Sequence, residues 1–164
     1  MRVRLVFAAI ALCAVQACAA ALGNLSTLVQ PPRFEQVPDR PAEIRLNGLH
    51  GAAVRLWTRV TNPNAFGVRL QTLNGTLFLD ESRAAGADFP LGLDLGARGD
   101  TTLPIDISVS FTDLPALGAV GRKILARQAV GYRLDGTIGV DAGRIGQGLV
   151  FGPMTLLRGE TVIR

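Results

Sequence analysis

Apolar and polar positions alternate along most of this chain, and the phase of that alternation lays out its elements. The pattern is organised around residues 54–79. Val54, Leu56, Thr58 and Val60 share one face of a strand, while Arg55, Trp57 and Arg59 share the other. The strand runs into Asn62-Pro63-Asn64, where Pro63 fixes its own φ and pushes Asn62 toward extended geometry. The asparagine amides can bond nearby backbone groups, and Gly67 tolerates a positive φ, so a turn is predicted with a structural role for Asn62, Pro63 and Asn64. In the outgoing strand Val68 and Leu70 have one parity, and Leu73, Leu77 and Leu79 the other. A period of two cannot change phase without an extra residue, so a bulge is predicted near Gln71–Leu73.

The rest of the chain follows the same logic. Phe34 and Val37 sit among Pro31, Pro32, Pro38 and Pro41 and suit at most a short edge strand. Glu43–Leu49 alternates with Ile44 and Leu46 inward, before a turn at His50-Gly51. Asp80–Arg83 reads as a hairpin turn, with Ala84–Leu93 returning as a weak strand broken by glycine. After a turn at Gly96–Asp100, Leu103, Ile105, Ile107, Val109 and Phe111 line one face of a strand, with Thr102, Asp106, Ser108 and Ser110 opposite. Pro104 places that strand at an edge or a bulge. Asp113 can cap a helix opening at Leu114-Pro115, with Leu117, Val120, Ile124 and Leu125 on one stripe and Arg122, Lys123 and Arg127 toward its C-terminal end. Gly118 and Gly121 weaken it, so packing must hold it. Val130, Tyr132, Leu134, Ile138 and Val140 form another alternating strand; Asp141–Gly148 turns, and Leu149–Leu157 with Thr161–Ile163 closes the domain.

The first residues do not fit this pattern. Arg2 and Arg4 precede an apolar run too short to span a bilayer comfortably, so residues 1–17 read as a signal peptide. Val15-Gln16-Ala17-Cys18 resembles a bacterial lipobox, which makes Cys18 the lipidated N-terminus and residues 18–32 a tether to a domain at 33–164. The alternative is a plain secretory signal with Cys18 incidental. Acyl chains at about 0.8 kcal/mol per buried CH₂ would hold the protein at a membrane without a transmembrane helix. Ala19, where an Asp favours inner-membrane retention, points to the periplasmic face of the outer membrane in a bacterial cell envelope.

With the leader set aside, 17 basic residues become 15 against 13 acidic, a balance of only +2. No clustered basic face with aromatic platforms is visible, which argues against nucleic acid. No cysteine follows Cys18, so disulfide and thiol chemistry are excluded downstream. Catalysis would need a nucleophile with a base, paired carboxylates or a metal. His50, the sole histidine, lies in a turn; Asp80-Glu81 are neighbours whose side chains diverge; Asp141-x-Gly143 and Gly146-x-Gly148 lack further oxygen ligands. No catalytic residue, cofactor or metal is expected. The Arg55-Trp57-Arg59 face has two readings: a recognition patch for a partner or an acidic lipid headgroup, or an indole covered by arginine stems. The second is favoured.

The turn after an alternating strand (VRLWTRVTNPNAFGVRLQTLNGTLFLDES), the later strand in GARGDTTLPIDISVSF, the helix, and GYRLDGTIGV at Gly131–Val140 occur in the order of the LEA type 2 domain, also called the WHy (water stress and hypersensitive response) domain. The resemblance covers about Phe34–Leu157, and the glycine- and arginine-rich segment Gly92–Asp100 departs from it. It implies a mainly β fold, an antiparallel immunoglobulin-like β-sandwich of about seven strands with one short α-helix at about 113–127. It also implies a non-enzymatic, monomeric protein of desiccation or stress protection, acting on protein clients or membranes. The alternative is an envelope protein that binds a lipid or a protein partner.

Overall fold

Strand β3 (Gly51–Thr61) is the hub of one sheet because its Val54, Leu56, Thr58 and Val60 side chains are buried while Arg55, Trp57 and Arg59 face outward. The computed structural model describes residues 28–48, 50–110 and 117–161. The leader, Cys18, Phe111, Asp113-Leu114-Pro115 and Ile163 lie outside the described residues, as does the Leu117 side chain. Two short strands, β1 (Arg33–Gln36) and β2 (Glu43–Leu46), share one edge of β3, against residues 58–61 and 52–55 respectively. Along the other edge runs β6 (Asp100–Ser110), antiparallel over the full length of β3.

The second sheet has the order β5-β4-β7-β8, all antiparallel, from β4 (Val68–Leu79), β5 (Ser82–Leu95), β7 (Val130–Asp141) and β8 (Leu149–Thr161). The two sheets close over a common core that includes Val54, Leu56, Val60, Leu70, Leu73, Leu77, Leu134 and Ile138. That makes eight strands among the described residues, one more than the resemblance implies, because the proline-punctuated lead supplies β1 ahead of β2. Helix α1 (Leu117–Leu125) packs Val120 and Ile124 into the core near the start of β7. Its last turn carries Lys123, whose Nζ donates to Asp80 Oδ2 at 2.6 Å.

The phase change in β4 is a bulge at the expected place: Leu70 pairs with Val140 and Thr72 with Gly139, which leaves Gln71 without a partner on β7. The distortion grows toward the edge. Between the same pairs β5 carries both Leu91 and Gly92, and Gly92 sits at φ +56°. A second irregularity frees Ala84. These two bulges explain why β5 reads as a weak strand: its alternation breaks twice, yet it spans 14 residues. Strand β8 behaves alike, with irregularities opposite Leu134–Asp135 and Gly136–Ile138, and so it runs unbroken from Leu149 to Thr161 rather than as two pieces.

Two inward assignments need correction. Leu46 is 41% exposed, because β2 pairs with only the first residues of β3 and ends beyond the cover of the opposite sheet. Leu125 is 72% exposed, because the helix ends there and only Val120 and Ile124 among its described apolar side chains face the sheet.

Candidate functional site

The turn after β3 is built from two buried amides. Asn62 is fully buried and Asn64 is 5% exposed. Asn62 Nδ2 donates to the Phe66 carbonyl at 2.8 Å and to the Gly96 carbonyl at 2.9 Å, which ties its own turn to the turn 96–99. Its Oδ1 accepts the backbone N–H of Asn64 at 3.0 Å and the Asn64 side-chain amide at 2.9 Å. Asn64 in turn holds the entering chain: its Nδ2 donates to the Gln30 carbonyl at 2.9 Å and its Oδ1 accepts the Gln30 N–H at 2.8 Å. Backbone bonds from Asn62 N to Gly99 O and from Arg98 N to Asn64 O complete the junction. An asparagine amide offers both donor and acceptor, which an ionised carboxylate does not, so the amide closes both halves of the clamp at neutral pH where an aspartate could not.

On the outer face of β3 the three singled-out residues do not act together. Arg55 forms a two-pronged ion pair with Asp106, at 2.6 and 2.9 Å, across the register pair Arg55–Asp106. Arg59 stands 3.7 Å from Asp100. Trp57 lies opposite Pro104, and its ring is covered by Arg40, whose guanidinium carbon is 4.5 Å from the ring centroid. Arg40 projects from the loop between β1 and β2, which bridges the gap left where those two strands share one edge. A surface groove of about 460 Å³ opens beside it, lined by Asp39, Arg40, Glu43, Arg45 and Trp57 among others. A second, of about 440 Å³, lies between residues 30–35 and Met154–Leu156.

The turn also lies within the stretch that matches a protein family. The family model described as late embryogenesis abundant protein (LEA_2) matches residues 58–150, more than half of the chain. The chain belongs to the LEA_2 family. Two solved structures share the fold of this LEA_2 domain. A solution structure of an Arabidopsis thaliana protein aligns with a TM-score of 0.58 at 18% identity, covering 80% of this chain and 82% of that one. A solution structure described as a late embryogenesis abundant (LEA) protein aligns with a TM-score of 0.51 at 16% identity, covering 91% and 87%. At such identities the likeness is one of fold. Among curated proteins no sequence matches the chain.

Charges on the LEA_2 domain are paired both within and between its strands. Glu43 pairs with Arg45 at 2.9 Å, Arg69 with Asp94 at 3.6 Å, and Arg133 with both Glu81 and Asp135. Arg133 also stacks on Phe78, its guanidinium carbon 4.6 Å from the ring centroid. The Lys123 hydrogen bond holds Asp80 below the ordinary carboxylate value, helped by the Gly131 N–H. Arg55 does the same for Asp106, and the Thr155 hydroxyl, then Arg133, for Asp135. Burial pushes the Tyr132 phenol up to about 12.

His50 is exposed, and among the described residues no three His, Cys, Asp or Glu side chains gather to hold a metal. Asp141 Oδ1 accepts the Gly143 N–H at 2.7 Å, an Asx-type turn that uses the carboxylate locally. Gln30 and Arg40 carry no signal in the linear pattern. Both act on residues far along the chain from irregular segments with no periodicity to read.

Proposed function

We propose that this LEA_2 protein is a non-enzymatic, lipid-anchored spacer of the bacterial envelope, which keeps proteins or membranes apart as water is lost. One observation carries the reading: the strand edges are blunted. The edge strands β5 and β8 each carry two register irregularities, and β6 carries Pro104. Irregular edges twist unpaired backbone groups away from a second copy or a client strand and oppose edge-to-edge association. The paired charges on the strands serve the same end, since they hold water along the sheets without adding a net sign there.

Such an action needs the folded domain and no ATP, and it scales with the amount of protein. The test dries and rehydrates a labile enzyme with this protein, and with an equal mass of an unrelated β-sandwich of similar charge. Higher recovery of the enzyme with this protein supports the reading; equal recovery in both tubes sinks it. The anchor has its own readout, because an acylated Cys18 adds the mass of its lipid to the N-terminal peptide.

A further inference from the structure

The chain enters the fold at the end of the sandwich that carries the double-asparagine turn. Asn64 clamps Gln30 there, and Arg33 opens β1 opposite Thr61, the last residue of β3. The turns 62–67, 96–99 and 142–148 converge on this end, since Thr61 pairs with Asp100, Val68 with Leu95 and Arg69 with Asp141. Arg33, Arg98 and Arg144 stand on it and form no ion pair with any described residue. Of the aspartates nearby, Asp94 is paired with Arg69 and Asp100 with Arg59, while Asp141 accepts the Gly143 N–H and keeps its charge, one carboxylate against three arginines. Two of the most exposed large apolar side chains are here as well, Leu28 at 63% and Val150 at 69%.

Charge alone does not choose between the two ends. Arg83, Arg122 and Arg127 are likewise unpaired at the far end, beside exposed Leu125. The point of entry chooses. Leu28 lies ten positions after Cys18. Even fully extended, that stretch reaches about 35 Å. An acyl group on Cys18 therefore keeps the double-asparagine end within about 35 Å of the bilayer while the far end can lie a strand length beyond it, and the Asn64–Gln30 clamp prevents residues 30 onward from lengthening that reach.

We propose that this end of the sandwich docks on an anionic bilayer surface, with Arg33, Arg98 and Arg144 at the lipid phosphates and Leu28 and Val150 entering the interface. The orientation rests on the anchoring at Cys18 proposed above. Cationic side chains near an anionic surface each strengthen partitioning about fivefold, and the effect is screened within about 10 Å at 0.1 M salt. Reversing the three arginines should weaken docking by about a hundredfold or more on the same footing.

The experiment places the full-length, membrane-inserted protein in phosphatidylglycerol or phosphatidylcholine vesicles that carry a headgroup-level quencher. A fluorophore is attached through Ala97→Cys at the double-asparagine end, or through Gln128→Cys at the far end. The expected result is strong quenching at position 97 only, in phosphatidylglycerol only, and lost in high salt. The triple variant Arg33→Glu, Arg98→Glu, Arg144→Glu should abolish it; Arg83→Glu, Arg122→Glu, Arg127→Glu, with the same charge change, should leave it intact. Equal quenching at both positions, none at either, or the same signal in phosphatidylcholine overturns the docking. The mass of the N-terminal peptide reports the anchor separately. Selective quenching without acylation would leave the docking standing and remove the anchor, and acylation without selective quenching would do the reverse.

Discussion

Asn64 holds Gln30 by both ends of its side-chain amide, donating to the Gln30 carbonyl at 2.9 Å and accepting the Gln30 N–H at 2.8 Å. The amide imitates a strand neighbour for one residue of the entering chain. Val29, next to it, is buried against the core at 3% exposure, so the clamp and the apolar contact fix the same point.

Replacing Asn64 by Ala leaves the Gln30 N–H and carbonyl without partners and removes a donor from Asn62 Oδ1. An unsatisfied buried group costs about 1–3 kcal/mol; Asn62 Oδ1 is buried while Gln30 is exposed, so a loss of about 1–3 kcal/mol in unfolding free energy is expected. Asn64→Asp should be at least as damaging at neutral pH, since a carboxylate cannot donate to Gln30 O. Thermal melts measure the loss, and new protease cuts near residue 30 should appear in both variants. An unchanged melt for either would show that solvent replaces the clamp.

Gly136 faces Gly75 across the β4–β7 pair with no room for a side chain. A Cβ there would lie 2.8 Å from Gly75 Cα and closer still to the Asn74 carbonyl oxygen. Those neighbours are backbone and cannot turn aside. Gly136→Ala is expected to destabilise by about 2 kcal/mol or more, in the range of overpacked cores. Gly86→Ala, where a Cβ would meet nothing within 4 Å, should be neutral or slightly stabilising. Chemical denaturation of the two variants side by side gives the comparison.

Trp57 takes its cover from Arg40 rather than from Arg55 or Arg59. Arg40→Ala should raise acrylamide quenching of the single tryptophan and shift its emission to the red, while Arg55→Ala should change neither. The stacking contact is worth about 0.5–1 kcal/mol at an exposed site, so the melting temperature should hardly move. Equal spectral changes in both variants would mean that the flanking arginines do shield the indole.

The protein should lose stability at both extremes of pH, for different reasons. Asp80, Asp106 and Asp135 titrate below the ordinary value of 3.8 in the fold, so each contributes stability above that value that drains as pH falls through the lowered ones. Asp80→Asn should flatten part of this acid limb. Tyr132 moves the other way, from 10.0 to about 12. The unfolded phenol ionises first, so its stabilising contribution is whole below pH 10 and is lost between pH 10 and 12. Tyr132→Phe should flatten the alkaline limb and leave neutral stability nearly unchanged. An alkaline limb as steep as before in that variant would place its origin elsewhere.

Local alternation determined much of this protein before any contact was known. The buried face of Val54, Leu56, Thr58 and Val60, the bulge at Gln71, the edge position of Pro104 and the inward row Val130–Val140 all follow from side chains that change face every residue. That rule is local, so a window of a few residues contains it. The tertiary structure decided what no window contains. Whether Leu46 and Leu125 are covered depends on where β2 and α1 end relative to the opposite sheet. Strand β5 hides its length because two bulges reset its phase, and bulges are set by the neighbouring strand. The covering of Trp57 by Arg40 and the capture of Gln30 by Asn64 join irregular segments to the middle of β3 and to the turn after it, 17 and 34 residues apart. Such pairs form only once both sheets have brought their backbones together, because a single hydrogen-bonded amide or stacked guanidinium cannot by itself offset the entropy of closing the loop between them.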